Sequence, residues 1–285
     1  MKTLFTLLML MACGLVFGQD DGRKIRIPVI FHVLYIGPVP DTTQFHDSRA
    51  AGNQSYYLTR TILNNELADL DADMQQHNTD IATAIPEYTD VTGNPNIHFF
   101  IQQVIYVPVA RWKANPRDDN NISFIHQQSP VVDPAHFLNV YTGDIYYNRQ
   151  QTAGVSPVRV NASTNQTDDA VNISWQWTGW HYRLLTHEVG HWLGLWHTWD
   201  RSQLSRTHVT DIPLQHRYTD MDCDHCAGEP GYPDRLVRTP GFSHSNFNNF
   251  MDYSGCRVMF SRQQAAVIRD VVRRFRAAIW SSSSS

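Results

Sequence analysis

Residues 184–200 read LLTHEVGHWLGLWHTWD and set His187, His191 and His197 among leucines and tryptophans. The offsets of four and then six carry chemical meaning. On a helix, residues i and i+4 lie one turn apart on one face, so His187 and His191 can aim two imidazoles at a single ion. Glu188 stands beside His187 and points next to that ion, where a base for bound water belongs. Another helical turn would carry a third histidine away along the axis. Gly194 can enter the left-handed conformation and end the helix. His197 then returns to the ion from another direction.

Three neutral imidazoles leave a tetrahedral Zn²⁺ one open position, the pattern of catalytic rather than enclosed structural sites. Zinc lowers the pKa of bound water from 15.7 to roughly 7. Glu188 can take that proton and later deliver it to a leaving amine. The chemistry implied is hydrolysis of a carbonyl compound, a peptide bond foremost. A chance match to HExxHxxGxxH in a chain with this histidine content is expected on the order of once in ten thousand such sequences. Accident is therefore the weaker reading. Trp192, Leu193, Leu195 and Trp196 have the opposite balance and read as packing. Two rivals remain: a zinc hydrolase of non-peptide amides, and a secreted binding protein that keeps zinc for structure. Glu188 argues against the second, because a structural site has no need of a base.

These side chains need a scaffold, and the chain supplies one. Strand-like runs stand at 24–37 (KIRIPVIFHVLYIG), 96–107 and 136–145, with shorter ones at 154–160 and 170–177. A helix is expected over YYLTRTILNNELADLDADMQQH, with Leu58, Ile62, Leu63, Leu67, Leu70 and Met74 on one face. Residues 199–249 are polar and loop-like. A last helix, SRQQAAVIRDVVRRFRAAIW, follows, with its serine as N-cap. The run Ser281–Ser285 reads as a disordered tail.

The chain has 285 residues, 42% hydrophobic, with a net charge of −4. That supports one large core or two modest ones, and the scattered basic residues argue against nucleic acid or a membrane surface as partner. MKTLFTLLMLMACGLVFGQD places one lysine before an apolar run. Residues 1–18 therefore read as a secretory signal peptide, giving a secreted, extracellular or periplasmic protein with no membrane contact after cleavage. Removing it leaves Cys223, Cys226 and Cys256. In an oxidising compartment one pair forms a disulfide and one thiol is left over. Asp220, Asp222 and Asp224 alternate in a way that can offer oxygens to Ca²⁺, or they form a solvated acidic loop. His208, His216, His225 and His244 read as surface residues.

HExxHxxGxxH is the metzincin signature, which expects a methionine turn beneath the metal. NNFMDYSGC at 248–256 matches it. The pairing of HEVGHWLGLWHTW with NFMDYS resembles the pappalysin family of metzincin zinc peptidases, cytophagalysin- and ulilysin-like. IPVIFHVLY, FLNVY, DIP at 211–213 and CRVMFSRQQ at 256–264 add suggestive matches. The resemblance implies an α+β catalytic domain over residues 19–280. Its upper subdomain (19–194) holds a twisted mixed sheet with backing and active-site helices. Its lower subdomain (195–280) is smaller, irregular and ends in a helix. Met251 would floor the site by packing, and Tyr253 would stabilise an oxyanion through its phenol. It also implies a disulfide from Cys256 to Cys223 or Cys226. DIP stands where DTP is usual, and the segment after Tyr253, which helps set side-chain preference in some relatives, is shorter than in ulilysin-like members, so no cleavage preference carries over. A peptide substrate is expected to pair along an edge strand at 154–160.

Overall fold

The computed structural model describes residues 22–37, 59–115, 117–158, 168–179, 183–219 and 239–283. In chain order the first elements are β1 (Ile25–Tyr35), α1 (Arg60–Met74), α2 (Pro86–Thr89), β2 (Thr92–Gly93) and β3 (Ile97–Pro108). Next come α3 (Ile122–Gln128), β4 (Leu138–Gly143), β5 (Tyr146–Tyr147), β6 (Gln150–Gln151), β7 (Gly154–Val155) and β8 (Val171–Ser174). The chain closes with α4 (Leu184–Trp192), α5 (Ser202–Arg206), β9 (Phe260–Ser261), α6 (Arg262–Phe275) and α7 (Ala277–Ser282).

β1 is buried along nearly its whole length. A strand covered on both faces has no reason to alternate polar with apolar, which is why IRIPVIFHVLY is almost continuously apolar. It is an interior strand, between β3 and β4, of a five-stranded sheet with order β3-β1-β4-β8-β7. The first three pairings are parallel, and β7 alone runs antiparallel, at the edge beside β8. The sheet is thus mixed, as expected.

Thr59 caps α1, its hydroxyl accepting from the Ile62 amide. The buried face of α1 carries Ile62, Leu63, Leu67, Leu70 and Met74, the stripe read from the sequence; Leu58 lies outside the described residues. α1 and α4 pack against the sheet and against each other. One apolar cluster joins them to β1, to Phe250, Met251 and Phe260, and to Val267, Ile268, Val271 and Val272 of α6. Each such fully buried side chain contributes about 1.5–3 kcal/mol, so the closing helix is fixed to the same core as the sheet.

Three sequence expectations are corrected. The last helix is two helices, broken at Arg276, where φ is −127° and ψ 49°. An arginine among arginines reads as a solvent-facing residue, yet Arg276 is 2% exposed. Its guanidinium donates to both carboxylate oxygens of Asp169 at 3.0 and 3.1 Å and to the Trp192 carbonyl at 3.1 Å. It also lies 3.2 Å from the Trp192 ring centroid. Second, three of the five terminal serines are structured. Ser281 and Ser282 belong to α7, and the Ser283 hydroxyl accepts from the Arg26 amide at 2.9 Å; 284–285 lie outside the described residues. Third, pairing in the stretch 154–160 covers only Gly154 and Val155 among the described residues. Pro157 lacks the amide that a longer ladder would need.

Removing one partner of a buried, hydrogen-bonded ion pair leaves the other charge uncompensated, at a cost of about 3–5 kcal/mol. Arg276→Ala is expected to lower stability by that amount in urea titrations. A loss below about 1 kcal/mol, the range of a surface pair, would mean that Arg276 does not carry this role.

Candidate metal centre

The first turn of α4 is tied to α1 before the histidines begin. Arg183, in the left-handed region at φ 53°, places its guanidinium against Asp69, Asp73 and Asp80 at 3.4, 3.3 and 2.8 Å. Thr186 donates its hydroxyl to Asp73 at 2.7 Å. Burial pushes the Asp73 carboxyl up to about 7 despite Arg183. Every residue of α4 is buried, and its other end stops where the sequence reading placed it. The Leu195 amide bonds the Gly190 carbonyl and the Gly194 amide bonds the His191 carbonyl, at 2.9 and 2.8 Å. That pair of bonds is a Schellman ending with Gly194 at φ 90°.

The turn brings His197 back. Its Nε2 stands 3.3 Å from His187 Nε2 and 3.0 Å from His191 Nε2. The three ligand atoms lie within 4.8 Å of one another. His187 Nδ1 donates to the Phe250 carbonyl at 2.6 Å, and His191 Nδ1 donates to the Leu195 carbonyl at 2.8 Å. A carbonyl only accepts, so Nδ1 carries the proton and the Nε2 lone pair faces inward. Burial, then the neighbouring His191, His197 and Arg257, holds His187 well below its ordinary pKa. Burial likewise takes His191 down to about 4 and, helped by His191, His197 to about 2. All three rings are neutral at neutral pH. Nitrogens held at roughly 2.0–2.1 Å by a tetrahedral Zn²⁺ stand about 3.3 Å apart. The two separations from His197 Nε2 are close to that, and the donor set fits the ion.

Glu188 is 5% exposed. Burial pushes its carboxyl up to about 8, against the positive charge of Arg257. Its Oε2 has no hydrogen-bond partner among the described residues. A Cβ on Gly154 would stand 2.5 Å from Glu188 Oε1, so a glycine on the edge strand leaves room for the carboxylate. Sequence reasoning missed Gly154, because nothing local marks a glycine whose partner lies 34 positions away.

Met251 is fully buried. A Cβ on Gly190 would meet its Sδ at 2.5 Å, so this glycine inside HEVGH lets the methionine segment approach the helix. The Asn249 side chain accepts from the Met251 amide at 3.0 Å and exchanges bonds with the Gln264 side chain. Gln264 completes the capping box of α6 with Ser261. Asp211, the first residue of DIP, accepts from the Ser261 hydroxyl and the Gln263 amide at 2.7 and 2.9 Å. The lower segment is thereby fastened to the start of α6. Asp252 accepts from Thr219, Gln215 and the Tyr253 amide.

Tyr253 is 51% exposed, its ring centroid 5.4 Å from His187 and 5.1 Å from His197. Burial and the Glu188 charge push its phenol up to about 12, so it stays a donor. His208 and His216 are exposed, and His244 Nδ1 bonds Glu87 at 2.7 Å; none joins the triad. Asp220, Asp222, Asp224, Cys223, Cys226 and His225 lie outside the described residues. Among the described residues, His187, His191 and His197 form the one group that could hold a metal, and calcium has no support.

Residues 125–273 match the family model described as pregnancy-associated plasma protein-A, Peptidase_M43, just over half of the chain. The chain belongs to this family. It is the pappalysin family of metzincins that the motifs resemble. An extracellular metalloprotease of Arthroderma otae is 35% identical over 99 residues, 33% of this chain and 33% of that protein. Extracellular metalloprotease 1 of Coccidioides posadasii is 34% identical over 98 residues, 33% of this chain and 32% of that one. The match thus spans about a third of the length of these relatives. A promirolysin mutant of Tannerella forsythia superposes with a TM-score of 0.70 at 20% identity, over 92% of this chain and 86% of that one. Mature mirolysin of the same organism, in complex with a cleaved peptide, gives 0.68 at 20% identity, over 92% and 99%. The fold is therefore the metzincin α+β catalytic fold.

Gly190→Ala is expected to force Met251 out of place. Overpacking of this kind costs about 1–3 kcal/mol, read as a lower thermal midpoint of the metal-free protein. An unchanged midpoint would show that the methionine segment does not bear on the helix.

Proposed function

We propose that the protein is a secreted zinc endopeptidase. The observation that carries this reading is the convergence of three neutral Nε2 atoms beside a buried carboxylate oxygen without a hydrogen-bond partner. His187, His191 and His197 hold the ion. Bound Zn²⁺ supplies Lewis acidity, which polarises a carbonyl and lowers the pKa of water from 15.7 to roughly 7.

The rest falls to the chain's own residues. Glu188 accepts a proton at Oε2 and returns it to the leaving amine; a carboxyl whose proton affinity burial has raised can do both near neutral pH. Tyr253, half exposed and close to His187, donates its phenolic hydrogen to the oxygen on which charge develops. Met251 floors the histidines and touches no substrate. β7 lies at the sheet edge beside Glu188, where an extended peptide can add main-chain hydrogen bonds.

A protein or peptide substrate is the reading that family membership and the peptide in the mirolysin complex support. Residues 1–18 act as the export signal, in keeping with relatives that are named extracellular. In an oxidising compartment Cys256 pairs with Cys223 or Cys226, the pairing that the family resemblance implies. The chain divides at Gly194 into upper and lower parts that flank the cleft.

Glu188→Ala is expected to abolish cleavage of a proteome-derived peptide digest while zinc stays near one per chain. Zinc lost together with activity would assign the glutamate to the ion instead. Tyr253→Phe is expected to lower kcat by about 10²–10³-fold, the loss seen on removing one oxyanion donor, with KM little changed. An unaltered kcat would remove Tyr253 from the mechanism.

A further inference from the structure

Two of the three histidines are oriented by hydrogen bonds and the third is not. His187 and His191 project from a fully buried helix, and each Nδ1 is held by a carbonyl. His197 sits past the Gly194 turn, partly exposed, with no protein carbonyl or carboxylate bonded to Nδ1 among the described residues. A side chain on irregular backbone has more rotamers open to it than one packed in a helix. Something else must fix the plane of this ring.

Trp199 lies where that restraint is needed. Residues 197–200 form a turn closed by the Asp200 amide on the His197 carbonyl at 3.0 Å, which brings the side chains of residues 197 and 199 together. Thr198 between them is fully buried. Its amide meets the Met251 carbonyl at 3.4 Å and its carbonyl accepts from Gln215 at 3.1 Å. The indole of Trp199 stacks on the His197 imidazole with centroids 4.3 Å apart and planes 7° from parallel. The same indole meets Tyr253 edge to face at 4.8 Å and 76°, and Tyr218 at 5.7 Å and 65°. Tyr253 in turn stands nearly perpendicular to His197, at 81°. One indole therefore fixes the plane of a ligand ring and the approach of the phenol beside it.

We propose that Trp199 is the positioning residue of the metal centre, its stacked face giving His197 the orientation that carbonyl hydrogen bonds give His187 and His191. Stacking also couples His197 to Tyr253, so a shift of the indole moves a ligand and a substrate-facing donor together. This rests on the zinc reading of the site. Partners that orient a ligand ring are worth about 10–100-fold in metal affinity, and Trp199 falls in that class through its face instead of a polar atom.

The experiment titrates Zn²⁺ into the full chain against a chromophoric chelator and compares the parent with Trp199→Ala, Trp199→Phe and Trp199→Leu. Phenylalanine keeps a flat face for the imidazole, whereas leucine fills space without one. The alanine and leucine variants are expected to bind zinc about 10–100-fold more weakly, with phenylalanine recovering most of the loss. Peptide turnover at saturating zinc should fall in kcat more than it rises in KM, because Tyr253 is displaced as well. Leucine matching phenylalanine in zinc affinity would reduce Trp199 to filler and overturn the proposal, as would an alanine variant equal to the parent. If alanine does not fold, the comparison of leucine with phenylalanine decides alone. A parent chain that binds no zinc would instead sink the reading of the site itself.

Discussion

The bond from His187 Nδ1 to the Phe250 carbonyl, 2.6 Å long and buried, is the contact on which the site depends. It spans 63 residues and joins the helix that carries two of the three histidines to the segment that carries Met251 and Tyr253. It also selects the tautomer that frees Nε2. Gly190 makes this closeness possible by leaving space for the Met251 sulfur. The Asn249–Gln264 exchange then fastens the methionine segment to the capping box of α6. A histidine geometry that looks local is thus held by the return of the chain to its own core.

Burial does the electrostatic work. The same low-polarity surroundings that keep three imidazoles neutral raise the proton affinity of Glu188. Neutral nitrogens with inward lone pairs suit a cation, and a carboxyl that gains and loses a proton near neutral pH suits proton transfer. Both effects follow from enclosing polar groups between the sheet edge, α4 and the methionine segment. The ion pairs at the two ends of α4, Arg183 with its aspartates and Arg276 with Asp169, hold that enclosure in place.

What the sequence disclosed is what local periodicity encodes. Histidines four apart, a glycine that must leave the helix, an apolar stripe on α1 and an almost unbroken apolar β1 each declare themselves within a dozen residues. The features it concealed join distant segments. Gly154 looks like any loop glycine until Glu188 is found against it. Arg276 looks like one more helical arginine until Asp169 and Trp192 enclose it. Trp199 reads as the tail of the histidine motif until its plane is seen to match that of His197. The terminal serines look disordered because low complexity carries no periodic signal, yet the Ser283 hydroxyl meets the Arg26 amide, 257 positions away.

The most direct test of the account is X-ray absorption at the zinc edge on the metal-loaded chain. The expected spectrum has one zinc per chain, three imidazole nitrogens at about 2.0–2.1 Å and one further light atom not supplied by the protein. A zinc surrounded by four protein ligands, or one bound through sulfur, would contradict it.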